Sequence, residues 1–195
     1  LDGLREPEDV VNCVGSGTTM RLLAGLVAGY DFTCVLTGND ALRRRPMDRV
    51  LRPLQQMGAT VLGRSGDRLP PITIRGGGLR GVDYTLPVAS AQVKSCVLLA
   101  GLRASGETTV REPGPTRDHT ERMLRAMGAE VHSRGATITV EPPERLRPLD
   151  LVVPGDLSSA AFLVAAATLV PGSKVVIEGV GVNPTRTGIL DIMWA

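Results

Sequence analysis

The chain has 195 residues, 22 Lys and Arg against 20 Asp and Glu for a formal net charge of +2, and only two Phe, two Tyr and one Trp. With 43% hydrophobic and 22% charged residues it reads as a globular chain of one or two domains, able to bury a sizeable core. The balance excludes the basic field and stacking platforms of a nucleic-acid binder, and the longest apolar run, residues 160–170, is broken by Thr168 and far short of the roughly 20 residues of a bilayer span.

In chain order, apolar residues at helical spacing predict helices over 17–29, 46–57, 90–102, 118–127 and 157–170, each bounded by Gly or Pro. Between them, β-branched runs predict strands over 32–37, 59–62, 72–75, 108–111, 130–132, 136–140, 149–153 and 174–178. Two echoes organise these elements. Leu54 to Val61 (LQQMGATV) returns as Leu124 to Val131 (LRAMGAEV), and Leu22 to Leu26 returns as Leu98 to Leu102, so one unit is about 70 residues long. A third pass opens with residues 158–170, and its Pro184-Thr185-Arg186 repeats Pro115-Thr116-Arg117. Each unit runs helix, strand, helix, then two or more strands, a repeated α/β arrangement. On this register a helix opening near Thr187 reaches its own Met-Gly-Ala beyond residue 195, and the chain is expected to be a fragment of a longer protein. Leu1 is not an initiator Met, and no secretory signal opens the chain. Cys13, Cys34 and Cys96 are too scattered for a disulfide framework and fit a reducing cytoplasm.

Three helix starts carry an Arg beside a Pro: Arg45 before Pro46, Arg117 after Pro115, and Arg186 after Pro184. Helix-start amides and the positive end of the helix dipole favour anions, and Arg adds a two-pronged donor for carboxylate or phosphate. The bland reading of each is a solvated side chain. Ser16-Gly17-Thr18-Thr19-Met20-Arg21 is a second candidate, in which Gly17 admits a ligand to the backbone; a plain N-cap is the alternative. Ser90, Gln92 and Lys94 offer a hydroxyl, an amide and an ammonium at one helix start, suited to a polyhydroxylated anion. Asp156 reads as an N-cap, and Asp118 with Glu121 has capping-box spacing. His119 and His132 stand 13 residues apart without a nearby Cys, so spacing predicts no zinc site.

Taken in order, residues 12–25 (NCVGSGTTMRLLAG), 36–38 (LTG) running into 42–47 (LRRRPM), 86–95 (LPVASAQVKS), 117–121 (RDHTE) and 154–162 (PGDLSSAAF) resemble the 5-enolpyruvylshikimate-3-phosphate synthase family of enolpyruvyl transferases. The resemblance implies an α/β fold of two domains, each built from three βαβαββ units (an inside-out α/β barrel), here incomplete at both ends. Residues 1–153 would be most of the first domain and 154–195 the start of the second. It further implies a shikimate-pathway transferase, a step toward chorismate and the aromatic amino acids, that moves the enolpyruvyl group of phosphoenolpyruvate to the 5-hydroxyl of shikimate 3-phosphate and releases phosphate. The enzyme would be a cytoplasmic monomer acting on small molecules, with no cofactor, metal, nucleic acid or membrane.

Carried over by position, Gly17, Thr18, Arg45 and Gln92 would bind phosphoenolpyruvate, with Arg21 supporting their loop. Ser90, Ala91, Gln92 and Arg117 would hold shikimate 3-phosphate. Val14-Gly15 stands where the family usually has Gly-Asn, and Asn39 where an Asp often follows Leu-Thr-Gly. The family's catalytic Lys, Asp, Lys-Glu, His-Arg and C-terminal Lys positions have no counterpart here, so no residue is assigned a catalytic role and the chain alone is expected to be inactive. Two alternatives remain at this point. UDP-N-acetylglucosamine enolpyruvyl transferase shares the Arg-Pro helix start, but has a reactive Cys in the preceding loop that residues 39–44 lack. The other is a non-catalytic, orphaned repeat domain.

Overall fold

A computed structural model describes residues 3–194. The chain divides into two compact units, one of residues 1–116 with 120–147, the other of 117–119 with 148–195.

The first unit contains the same arrangement twice. In the first copy β1 (Val11–Asn12), α1 (Gly17–Ala28), β2 (Thr33–Thr37), the short α2 (Asp40–Arg43), α3 (Asp48–Gln56), β3 (Thr60–Gly63), a single irregular turn α4 (Arg64–Asp67) and β4 (Leu69–Arg75) follow one another. The second has β5 (Asp83–Thr85), α5 (Ala91–Gly101), β6 (Thr108–Arg111), α6 (His119–Ala126), β7 (Val131–Arg134) and β8 (Thr137–Val140). The strand orders are β1-β2-β4-β3 and β5-β6-β8-β7. In each sheet the first pair is parallel and the remaining pairs are antiparallel. Both copies are therefore βαβαββ, with the helices expected from periodicity found to within two residues at each end.

The Met-Gly-Ala echo has a physical cause. The Ala59 amide donates to Leu54 O at 2.9 Å and Gly58 to Gln55 O at 3.0 Å; Ala129 donates to Leu124 O at 2.9 Å and Gly128 to Arg125 O at 2.9 Å. These are two Schellman caps, and their glycines sit at φ +107° and +87°, a region other residues rarely enter. Each cap ends a helix so that the next residues run directly into a strand.

The strands alternate inward and outward, Cys34 and Leu36 from β2 and Ile72 and Ile74 from β4 being buried. They pack against Met20 and Leu54 from the helices, each with no exposed surface. Burial of one such side chain contributes about 1.5–3 kcal/mol. Helices α1 and α5 cross at backbone contact: a Cβ at Gly25 would lie 2.1 Å from the Cys96 carbonyl oxygen. All three cysteines are buried and unpaired. Burial holds the Cys13 and Cys34 thiols above their ordinary value and pushes Cys96 up to about 12.

Two strands and two short helical turns, α2 and α4, escaped the sequence reading. β1 and β5 have two and three residues, too few to show alternation, and α2 is a single turn capped by Asn39, whose Oδ1 accepts from the Leu42 amide at 3.0 Å.

In the second unit Asp156 caps α7 (Leu157–Leu169), as expected, by accepting from the Ser158 amide at 3.1 Å, and α8 (Gly188–Trp194) ends the described chain. The strands expected over 149–153 and 174–178 do not form. Among the described residues this region has one isolated parallel bridge, Gly155 with Val180, and no antiparallel strand that would back it as β4 backs β1 and β2. Val152 and Val176 are accordingly 91% and 73% exposed. No helix among the described residues is long and apolar enough to cross a membrane.

Two stability changes follow. Gly25→Ala forces the α1 and α5 backbones apart and is expected to destabilise by about 2–3 kcal/mol, lowering Tm by roughly 5–10 °C; an unchanged melting curve would show that the helices do not touch there. Val14 occupies left-handed backbone at φ +52°, strained for a β-branched residue. Val14→Gly is expected to stabilise by about 1 kcal/mol and raise Tm by roughly 2–4 °C, as scanning calorimetry would show.

Candidate functional site

The α1–α5 contact brings the starts of the two helices together within the first unit. Ser16 caps α1, its Oγ accepting from the Thr19 amide at 3.1 Å and the Thr19 hydroxyl at 2.8 Å. Ser90 caps α5 through the Val93 amide at 3.4 Å. The capping reading of the Ser16 motif thus holds and Ser90 proves to be a cap as well; caps of this kind leave the first-turn amides facing outward, at Gly17 and Thr18 in one helix and Ala91 and Gln92 in the other.

Gln92 joins the two helix starts. Its Nε2 donates to Thr18 Oγ1 at 2.6 Å, and its Oε1 accepts from Arg21 Nη1 at 2.8 Å. Arg21 also donates through Nη2 to Pro46 O at 3.3 Å, which ties the α1 guanidinium to the segment carrying Arg45. A Cβ on Gly17 would lie 2.7 Å from Arg21 Nη1 and 3.3 Å from Arg45 Nη1, so two guanidinium groups converge on the one residue without a side chain. Burial, then the positive charges of Arg45 and Arg49, pull the Arg21 guanidinium below its ordinary value. Like charges held this close are unfavourable by themselves and favour an anion between them. Gly17, Thr18, Arg21, Arg45 and Gln92, the set that the family resemblance grouped, are brought together here, with the charge of Arg49 added. Arg49 is in the first turn of α3, whereas Arg45 precedes that helix, so no helical spacing links the two in sequence.

The loop beside this cluster contains the residues that depart from the family pattern. The Asn39 amide donates to Val14 O at 2.7 Å, and a Cβ at Gly15 would lie 3.1 Å from Asn39 Nδ2. Asn39 thus lies against the one position in the loop that has lost its side chain.

Lys94 is a correction. It was grouped with Ser90 and Gln92 as ligand-facing, yet its side chain is 1% exposed and its Nζ lies 2.6 Å from Glu121 Oε1 and 3.2 Å from Glu112 Oε2. Residues two apart on a helix point about 200° away from each other, so Gln92 and Lys94 cannot share a face. Glu121 is correspondingly committed to Lys94 rather than to a capping box with Asp118.

Arg117 belongs to the second unit, where it is exposed. In that unit Asp118 accepts from Asn183 Nδ2 at 2.8 Å. Arg186, the third of the repeated arginines, is not the solvated side chain of the bland reading: it donates to Asp156 Oδ1 and Ser158 Oγ, both at 2.6 Å, and is spent on that internal pair. His132 has neighbours that its sequence spacing did not reveal: cross-strand pairing brings Glu130 and Glu141 beside it, with one potential ligand atom from each within 4.8 Å of the others. All three are exposed, and the cluster has no buried polar group that would mark it as a metal centre.

Comparison with known proteins places this geometry. The model of the family described as EPSP synthase (3-phosphoshikimate 1-carboxyvinyltransferase) matches residues 2–194. The 3-phosphoshikimate 1-carboxyvinyltransferase of Geotalea uraniireducens is 57% identical over the whole chain, and that of Shouchella clausii 53% identical over 99% of it. The chain spans 45% of the length of each. A solved EPSP synthase from Acinetobacter baumannii superposes with a TM-score of 0.89 at 48% identity, covering 98% of this chain and 43% of that one. The duplicated βαβαββ units and the arginine-lined helix starts thus sit in a chain matched almost from end to end, and this chain belongs to the EPSP synthase family.

Proposed function

We propose that this chain supplies substrate-binding groups to an enzyme that transfers the enolpyruvyl group of phosphoenolpyruvate to the 5-hydroxyl of shikimate 3-phosphate, releasing phosphate. The observation that carries the reading is the convergence of Arg21 and Arg45 on Gly17 beside the Thr18–Gln92–Arg21 bridge. Phosphoenolpyruvate has a phosphate and a carboxylate, and guanidinium forks with helix-start amides are the groups that recognise both. Gly17, Thr18, Arg45 and Gln92 bind this substrate, with Arg21 fixing Gln92 and the Arg45 segment.

Ser90 and Ala91 hold the phosphate of shikimate 3-phosphate at the start of α5, with Gln92 and Arg117 as further contacts. Residues 1–153 form most of the first domain and 154–195 open the second. The enzyme works as a cytoplasmic monomer without cofactor, and its buried, unpaired thiols support a reducing compartment. Positioning of two anions and neutralisation of their charge are what these residues contribute; proton transfer is assigned to none of them. The names of the family model and the relatives support the shikimate substrate over a UDP-N-acetylglucosamine one, and enzymes over a binding module.

Calorimetry on the enzyme containing this chain tests the assignment. Arg45→Ala is expected to weaken phosphoenolpyruvate about 10- to 100-fold and shikimate 3-phosphate less, while Arg117→Ala does the reverse, in line with the loss of a charge-assisted hydrogen bond. The opposite ordering would show the two sites are exchanged, and unchanged affinity for both would sink the reading. Gly17→Ala is expected to raise the KM for phosphoenolpyruvate about tenfold by pushing Arg21 and Arg45 off their positions, with the KM for shikimate 3-phosphate within about twofold. A steady-state assay in which both KM values stay at the wild-type level would remove Gly17 from the pocket.

A further inference from the structure

The carried-over roles leave one strongly built feature unused, the buried ion cluster below the start of α5. Lys94 Nζ lies between Glu121 Oε1 at 2.6 Å and Glu112 Oε2 at 3.2 Å, and the three side chains are 1%, 3% and 7% exposed. The other Glu112 oxygen accepts from the Thr116 hydroxyl. Next to Lys94, Ser95 Oγ hydrogen-bonds to Thr120 Oγ1 at 2.7 Å. One cation thus serves two buried carboxylates, and Glu121 Oε2 has no partner.

Such a cluster is a poor way to gain stability, because removing three charges from water offsets most of their attraction, and apolar side chains of the same volume do as well. What it does supply is a fixed geometry with few alternatives. Its points of attachment indicate which geometry. Glu112 stands before the excursion 113–119 and Thr120 and Glu121 after it, all three bonded to the single turn Lys94–Ser95 of α5, while Thr116, within the excursion and next to Arg117, donates its hydroxyl to Glu112. That excursion contains Pro113, Gly114 and Pro115, has no regular structure before α6, and carries Arg117. With both ends of the excursion fastened to one helical turn, the loop-closure entropy of a seven-residue segment is already lost before substrate arrives.

We propose that Lys94, Glu112, Thr116 and Glu121 form a buried clasp that positions the Arg117 segment for shikimate 3-phosphate, acting through Arg117 without touching substrate. This rests on the assignment of Arg117 to that substrate. The clasp is selective: it fastens the segment of one substrate's Arg, and among the described residues no hydrogen bond joins it to Arg21 or Thr18, which are assigned to the other substrate's side of the site.

The test uses the enzyme containing this chain, with shikimate 3-phosphate affinity read by calorimetry, the KM for phosphoenolpyruvate at saturating shikimate 3-phosphate, and Tm for each variant. Thr116→Val removes one hydroxyl at a half-exposed position and leaves the ion cluster in place, so it is a variant expected to fold. Thr116→Val and Glu121→Leu are expected to raise the Kd for shikimate 3-phosphate about fivefold, with the phosphoenolpyruvate KM within about twofold. Glu121→Gln, which keeps an acceptor for Lys94 Nζ, is expected to restore the wild-type Kd. A fall in Tm with Kd unchanged in folded Thr116→Val, or equal weakening of both substrates, would overturn the clasp and leave the cluster a stability element. If the unmutated enzyme binds shikimate 3-phosphate but Arg117→Ala binds it equally well, the underlying assignment fails, and the clasp fails with it.

Discussion

Everything at the paired helix starts of the first unit depends on how closely α1 and α5 approach. At Gly25 the two backbones touch, with no room for even a methyl group against the Cys96 carbonyl. Helices separated by ordinary side chains lie about 8–10 Å apart, and here the absence of a side chain at Gly25 lets the two come closer. Gln92, one turn from Cys96 on α5, reaches both Thr18 and Arg21 on α1 across that close approach. Packing and the geometry of the helix starts are here set by the same contact.

The chain uses its positive charge in two physically different ways. Arg45, at a helix start, is exposed and keeps its field available to a ligand. Lys94 is buried to 1%, its charge consumed by two carboxylates on its own chain. The residue types follow this division. Guanidinium is weakly hydrated and planar, suited to gripping a carboxylate or phosphate from one side, whereas ammonium is a compact charge that two carboxylates can share from different directions.

What could be read before the structure was whatever repeats or has a period. The five main helices follow from apolar spacing, and the 70-residue echo proves to be a pair of Schellman caps, a local motif written entirely in local residues. Gly17, Thr18 and Arg21 were readable as one motif and Arg45 joined them only through the family resemblance, while the bridging role of Gln92 joins residues 71 and 74 positions apart and has no local signature. Lys94 was misplaced because polar residues near a helix start look alike in sequence, while a rotation of about 200° separates their faces. The strands expected over 149–153 and 174–178 had the right composition, but a strand forms only when another strand supplies its hydrogen bonds.

The chemistry of the Gly17 cluster has a consequence for how binding responds to acidity. Thr18 and Gln92 have no titratable group, and the Arg21 guanidinium remains cationic even though burial and the neighbouring positive charges reduce its affinity for the proton. In the proposed function the partner that titrates is the substrate, since a phosphate monoester changes from one negative charge to two at about pH 6. On that proposal the cluster is a fixed positive template, and any rise in affinity across that interval is written by the ionisation of the ligand.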